Sequence, residues 1–450
     1  MPAAPSITWV NHASYVLEAS GVVLLTDPWF EGTAFDDGWA LYSQTRVDED
    51  LLRRVTHVWL SHEHPDHFSP TSLRSIPPDV RCKITVLYQA SRDRKVVDYC
   101  RDLGFADVRE LRPNNWVPLA DGVRVMCNRW RLGDSYLAVE TPAGLVLNVN
   151  DCVIRTAREA EAIFDDLGHR SPRIVLMQYG YANRVGNPEE VGLRRAAAQS
   201  ELESVATAIS VLQPKYIVLF ASFIWFCHSE NVYMNDCQST ATDAVRFVRD
   251  HTTSSPVVLY PGESWILHDE PPSADLSASR YDVDLSTRVQ GPPLTTSKGV
   301  TFDSLLADGR SFAEDLRSAN GALPLAILDR LGKLGPVSVW VSDLNISMLL
   351  SRRGLGPTDV PAHRCDVALG SAAFGFMLRH RYGGATLFMN GRFSAPPDGQ
   401  LERILPLVNL RDANNRGIGV SHWLAGRLLH RFERSRSAGS RVARWLRTHQ

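Results

Sequence analysis

The run His62-Glu63-His64-Pro65-Asp66-His67 follows directly on an apolar stretch, 55–60, that ends at Ser61. Three histidines and a carboxylate on one short loop converge only if a buried strand delivers them to a fixed point, so the run demands a rigid sheet edge beneath it. His62 and His64 can hold one ion, while Asp66 and His67 hold a second a few ångströms away. Imidazole and carboxylate suit zinc, iron or manganese.

The surrounding pattern predicts such a sheet. Short β-rich segments occur at 7–10, 14–18, 22–26, 55–60, 84–88, 123–127, 136–140 and 145–149, with Pro142-Ala143-Gly144 reading as a hairpin turn. Helical spacing at 155–167 and 191–212 is followed each time by a continuous apolar strand, 174–177 and 216–220. With 450 residues, two domains are expected. Residues 269–293 are rich in Pro, Ser and Asp, which places a linker at 269–299 between a catalytic domain, 1–268, and a C-terminal α+β domain, 300–450. In the latter, 302–316 and 323–334 read as helices and 336–343 as a strand. No internal repeat is visible.

The net charge of −2 gives no global basis for nucleic-acid binding. Seven cysteines are scattered without a C-x-x-C pair, as expected of free thiols in a reducing compartment. Met1-Pro2-Ala3-Ala4-Pro5 carries no basic-then-apolar leader and no segment is apolar enough to span a bilayer, so a cytoplasmic location is expected.

The loop has the H-x-H-x-D-H pattern of the metallo-β-lactamase superfamily, and the resemblance extends to Thr26-Asp27-Pro28 and to Asp151 in Leu147-Asn148-Val149-Asn150-Asp151-Cys152. It implies an α/β fold, an αββα sandwich, with Asp27 beneath the histidine loop, Asp151 as a carboxylate bridging two ions, and His228 as the last ligand. The plainer readings are a turn-capping aspartate for Asp151 and a surface histidine for His228. A further histidine is usual on the strand pair before the bridging aspartate, yet this stretch reads Met126-Cys127-Asn128-Arg129-Trp130. Without it, His62, His64 and Asp151 form the two-histidine, one-carboxylate set of non-haem iron oxygenases, unless His12 or a distant residue completes the site.

Asn11-His12-Ala13-Ser14, the segment from Asp27 to Tyr42, Leu212-Gln213-Pro214, Phe220-Ala221-Ser222-Phe223 and His228-Ser229-Glu230-Asn231-Val232-Tyr233 resemble the metal-binding domain of CMP-N-acetylneuraminate hydroxylases. That resemblance implies one or two iron ions, with zinc or manganese as the alternative, and oxygenase chemistry on a small molecule such as a sugar nucleotide, an amino acid or a secondary metabolite. Phe35, Trp39 and Tyr42 are candidates for the substrate mouth, against ordinary core packing. No Cys-His pair with Rieske spacing occurs, so electrons would come from a separate donor protein or from the substrate. The competing expectation is a binuclear zinc or manganese hydrolase of an ester, lactone, amide or phosphodiester. There Asp66 would orient the water and Tyr181, Arg129 or His12 would steady the oxyanion. A non-catalytic binding protein is the third reading, and a homo-oligomer is compatible with all three.

The stretch Gly370-Ser371-Ala372-Ala373-Phe374-Gly375-Phe376-Met377-Leu378, with the segment to Phe393, resembles the helix-then-strand pattern of sterol-carrier-like domains. The Arg-rich 423–447, with Trp423, Leu428, Phe432 and Trp445 interleaved, reads as a basic amphipathic or solvated helix.

Overall fold

Along the strand His57–Leu60, Val58 and Leu60 pack with one set of core residues while Trp59 packs with another. Side chains alternate across a strand, so both faces of its sheet are covered. The computed structural model describes residues 4–420, and the expected basic tail at 423–447 lies outside them. The chain divides into one unit of residues 1–296 with Met389–Gly391 and a second unit of the remainder from Ser297.

The first unit holds two seven-stranded sheets. One runs, edge to edge, Ser264–Ile266, Ser6–Asn11, Ser14–Ala19, Val22–Thr26, His57–Leu60, Thr85–Gln89 and Asp107–Leu111. Its first half is an antiparallel meander, and the pairings from Val22–Thr26 onward are parallel. The other runs Ser255–Val257, Tyr216–Leu219, Ile174–Met177, Gly144–Asn150, Ser135–Thr141, Val123–Arg129 and Val117–Ala120, with the same division between parallel and antiparallel halves.

The two sheets share one core. Trp9, Tyr15, Trp59 and Leu87 of the first pack with Leu137, Val139, Leu147 and Leu176 of the second. Each of these side chains is almost wholly buried, worth about 1.5–3 kcal/mol apiece for the aliphatic ones. Helices cover both outer faces. Leu73, Val80, Val96 and Val97 lie against the first sheet, and Ile163, Val205, Ile209, Val245 and Val248 against the second. This is the expected αββα sandwich. Local signals set the helix starts: Pro70 and Pro78 open short helices, and Thr156 with Glu159 and Thr240 with Asp243 form capping boxes.

The stretch expected as a linker contains the helix Ala274–Gln290, which belongs to the first unit. Tyr281 is buried there, accepts a hydrogen bond from Trp9 Nε1 at 2.9 Å and stacks on Phe223 with ring centroids 3.8 Å apart.

The second unit has a four-stranded sheet, Gly354–Pro357, Ile346–Ser351, Val337–Val341 and Val367–Leu369, with a separate core around Phe312, Val339, Met348 and Phe374. The helices Phe302–Asn320 and Ala322–Arg330 follow the expectation. The strand expected before Phe393 is instead the helix Gly383–Asn390. Its apolar run is too short for periodicity to separate strand from helix, and Gly384 lacks the Cβ that would stand 2.8 Å from Val408 Cγ2.

Candidate metal centre

The site is assembled where strands end. Asp27 follows Val22–Thr26, the histidine loop follows His57–Leu60, and Asp151 follows Gly144–Asn150. His12, Asp27 and Asn150 all have left-handed backbones, with φ of 46°, 36° and 54°. Such strain in non-glycine residues clusters where a chain must aim a side chain rather than relax.

Asp27 is fully buried and organises what lies above it. Its Oδ1 accepts the Ser61 N–H at 2.7 Å, and its Oδ2 accepts from Asn150 Nδ2 at 2.8 Å and lies 3.1 Å from His67 Nδ1. With Nδ1 held by this carboxylate, His67 turns Nε2 toward Asp66 Oδ2 and Asp151 Oδ2, each 3.2 Å away. His62 Nδ1 lies 2.9 Å from Ser61 Oγ, and its Nε2 is 2.8 Å from His64 Nδ1, so both rings address one point. His12, held edge-on against Trp29, sets Nε2 3.4 Å from Asp66 Oδ2.

Three interlocking sets of ligand-type atoms result: His62, His64 and Asp134; His62, His67 and Asp151; His12, Asp66 and His67. His62 and His67 are shared between sets, and Asp151 Oδ2 reaches both, at 3.7 and 3.2 Å. The electrostatics are those of a cation site. Burial alone would lower the pKa of His67, but Asp151 and then Asp66 outweigh it and hold the imidazole well above its usual value. Burial lowers His62 well below the usual range, with the neighbouring His67 and His64 adding to the shift. Burial would raise Asp66, yet His67 and His12 hold it well below an ordinary carboxylate.

The residues fit metal ions on a direct observation. His12 Nδ1 and Asp66 Oδ1 are buried without a hydrogen-bond partner, and His12 Nε2 and His67 Nε2 approach carboxylate oxygens without hydrogen-bond geometry, a costly state that a bound cation relieves. The set of His12, Asp66 and His67 is closed, whereas His64, Asp134 and Asp151 are only partly buried, so one side of the centre opens outward.

Other expected site residues lie elsewhere. His228 is buried outside all three sets, with Nδ1 accepting the Glu230 N–H at 3.1 Å. The loop after Ile224–Phe226 is tied at this histidine to Asn231 and Thr295. Arg129 is exposed at the end of its strand and pairs with none of the site's carboxylates among the described residues. Tyr181 is buried and its hydroxyl donates to Met234 O, leaving no donor for an oxyanion. Of the three aromatic candidates, Phe35 stands at the site, its ring 5.6 Å from His64. Trp39 packs on Phe226, and Tyr42 packs among Phe223 and Tyr281.

Asp134 was not anticipated. It ends the turn Arg131–Gly133 between Val123–Arg129 and Ser135–Thr141, and its Oδ1 lies 4.0 Å from His62 Nε2. Gln89 Nε2 and Ser135 Oγ both donate to Ser61 O, which fastens this hairpin to the histidine loop. An acidic residue closing the hairpin was the available signal.

Residues 6–147 match the family model of the beta-lactamase superfamily domain. The chain is 23% identical over 252 residues to cytidine monophosphate-N-acetylneuraminic acid hydroxylase of Danio rerio, covering 53% of this chain and 42% of that protein. It is 36% identical over 66 residues to a UPF0173 metal-dependent hydrolase of Chelativorans sp., covering 14% of this chain and 24% of that protein. Among solved structures, CmlA, a diiron β-hydroxylase from Streptomyces venezuelae, aligns with a TM-score of 0.41 at 15% identity, over 59% of this chain and 55% of that one. The chain thus spans less than half the length of these two curated relatives. Over residues 6–147 the N-terminal unit thus carries a beta-lactamase superfamily domain.

Proposed function

We propose that this protein is a non-haem iron oxygenase that hydroxylates a small molecule at a two-metal centre. The observation that carries the reading is Asp134. Where a zinc hydrolase of this superfamily would be expected to offer another imidazole, a carboxylate stands 4.0 Å from His62 Nε2. One ion would be held by His62, His64, Asp134 and Asp151, the other by His12, Asp66, His67 and Asp151. Each position then has two imidazoles and two carboxylates, a donor set without sulfur that suits iron or manganese. Bound iron would supply dioxygen activation, in which one oxygen atom enters a C–H bond and the other leaves as water, with two electrons and two protons consumed.

The chain's own groups do the positioning. Asp27 fixes the ring of His67, and Ser61 fixes that of His62. Phe35 forms an apolar wall beside His64. The partly buried side at His64, Asp134 and Asp151 is where substrate would enter, while His12 and Trp29 close the far side. The electrons would come from a separate donor protein.

The test is metal content and dioxygen reactivity. Protein prepared anaerobically with iron and zinc both supplied is expected to retain about two irons, one for each of the two proposed donor sets. After chemical reduction it should consume dioxygen. Protein that keeps zinc, takes up no dioxygen once iron is restored, and turns over an ester or lactone anaerobically would be a hydrolase instead.

A further inference from the structure

The second unit contains a concavity of about 250 Å³ whose lining is dominated by arginine. Arg310 and Arg317 lie seven positions apart on the helix Phe302–Asn320, two turns along one face, with Ala313 and Glu314 between them. Arg352 and Arg353 form the turn between the antiparallel strands Ile346–Ser351 and Gly354–Pro357. The following helix adds Ala322 and Leu325.

The convergence is built rather than loose. A Cβ on Gly309 would stand 2.3 Å from Leu355 Cβ, so glycine there lets the hairpin press on the helix one residue from Arg310. Arg352 is anchored, its Nε donating to Asp329 Oδ2 at 2.6 Å. Among the described residues, no carboxylate pairs with Arg310, Arg317 or Arg353. Four arginines thus line one hollow together with Glu314, and three of them, Arg310, Arg317 and Arg353, have no paired carboxylate among the described residues, while Ala313 and Leu325 form an apolar floor. The three unpaired arginines repel one another, and an anion with several acceptor oxygens removes that repulsion while filling the guanidinium forks.

The geometry points to a binding site for the phosphate or pyrophosphate group of a soluble organic ligand. It lies within the second unit and does not depend on the chemistry of the metal centre. The volume suits the anionic group with a small apolar neighbour, not a whole large ligand.

Calorimetric titration of the full chain with inorganic pyrophosphate at constant ionic strength tests this, before and after metal removal, because pyrophosphate also binds metals. Saturable binding of one pyrophosphate per chain is expected in both preparations. The combined variant Arg310→Gln, Arg317→Gln, Arg353→Gln should weaken it about tenfold or more. A variant losing three exposed positive charges elsewhere, Lys83→Gln, Arg92→Gln, Arg158→Gln, should bind as the parent does. Circular dichroism confirms that both variants fold. Absence of saturable binding, equal weakening by both variants, or affinity for phosphatidylcholine vesicles containing phosphatidic acid without affinity for pyrophosphate would each overturn the assignment.

Discussion

Asp27 carries more of the site than its place beneath the histidine loop suggests. It satisfies a backbone N–H, an amide and an imidazole at once, from a left-handed backbone that few residues other than Asp, Asn or Gly adopt readily. Asp27→Ala strands all three partners in a buried pocket, so a loss of about 3–5 kcal/mol is expected. It would be read as a lower urea midpoint at unchanged slope. Metal affinity should fall about 10- to 100-fold, because His67 loses the partner that fixes its orientation. Asp134 gives a complementary prediction at the same scale. Asp134→His restores an imidazole and should move retained metal from iron toward zinc when both are supplied, whereas Asp134→Ala should lower occupancy of either. Element analysis of the purified variants separates the outcomes, and an unchanged iron-to-zinc ratio in Asp134→His would remove the argument for iron. The histidine loop was legible because its ligands sit within six consecutive residues on a strand end. Asp134 was not, since only the fastening of its hairpin to Ser61 brings it there.

Among the elements, the helix Ala274–Gln290 shows why sequence periodicity failed where it did. Its buried face is Ala274, Ser277, Ala278 and Tyr281, spaced as one helical stripe, while Leu276 and Val283 are 70% and 60% exposed. The large apolar residues thus mark the wrong face, and the small buried ones carry little hydrophobic signal. A stretch rich in Pro, Ser and Asp then reads as a linker. Tyr281→Ala should nonetheless behave as a core deletion, costing about 3–5 kcal/mol in denaturant unfolding, the range for a large buried aromatic. Tyr281→Phe removes the bond accepted from Trp9 and the one donated to Leu259 O, and should cost about 1–3 kcal/mol. A cost near zero for Tyr281→Ala would mean that the helix is not packed on the first unit. In the second unit, Gly309→Val places methyl groups where Leu355 already stands and should cost about 1–3 kcal/mol through overpacking. By contrast, the strands flanking the metal site were legible almost residue for residue, because their apolar runs are continuous and end on the chemistry.

At the scale of the whole molecule, every residue assigned to the metal centre falls in the first unit, and the second has its own hydrophobic core. Two thermal transitions are therefore expected from the full chain, since units with separate cores need not melt together. The two core variants assign them: Tyr281→Ala should lower one midpoint and Gly309→Val the other. Metal binds only the folded first unit, so it should raise only the transition that Tyr281→Ala lowers. At a free metal concentration about 100 times the dissociation constant the gain is about 2.7 kcal/mol per ion. For a unit of this size that corresponds to roughly 5 °C. Chelator should return the midpoint to its starting value and leave the Gly309-sensitive transition where it was. Movement of both transitions by the same amount would show that the two units melt as one cooperative body. Movement of neither would mean that the unpartnered nitrogens and oxygens of His12, Asp66 and His67 do not hold a cation. The experiment thus tests the metal centre without knowledge of its substrate, and it does so on the same buried atoms that a cation would satisfy.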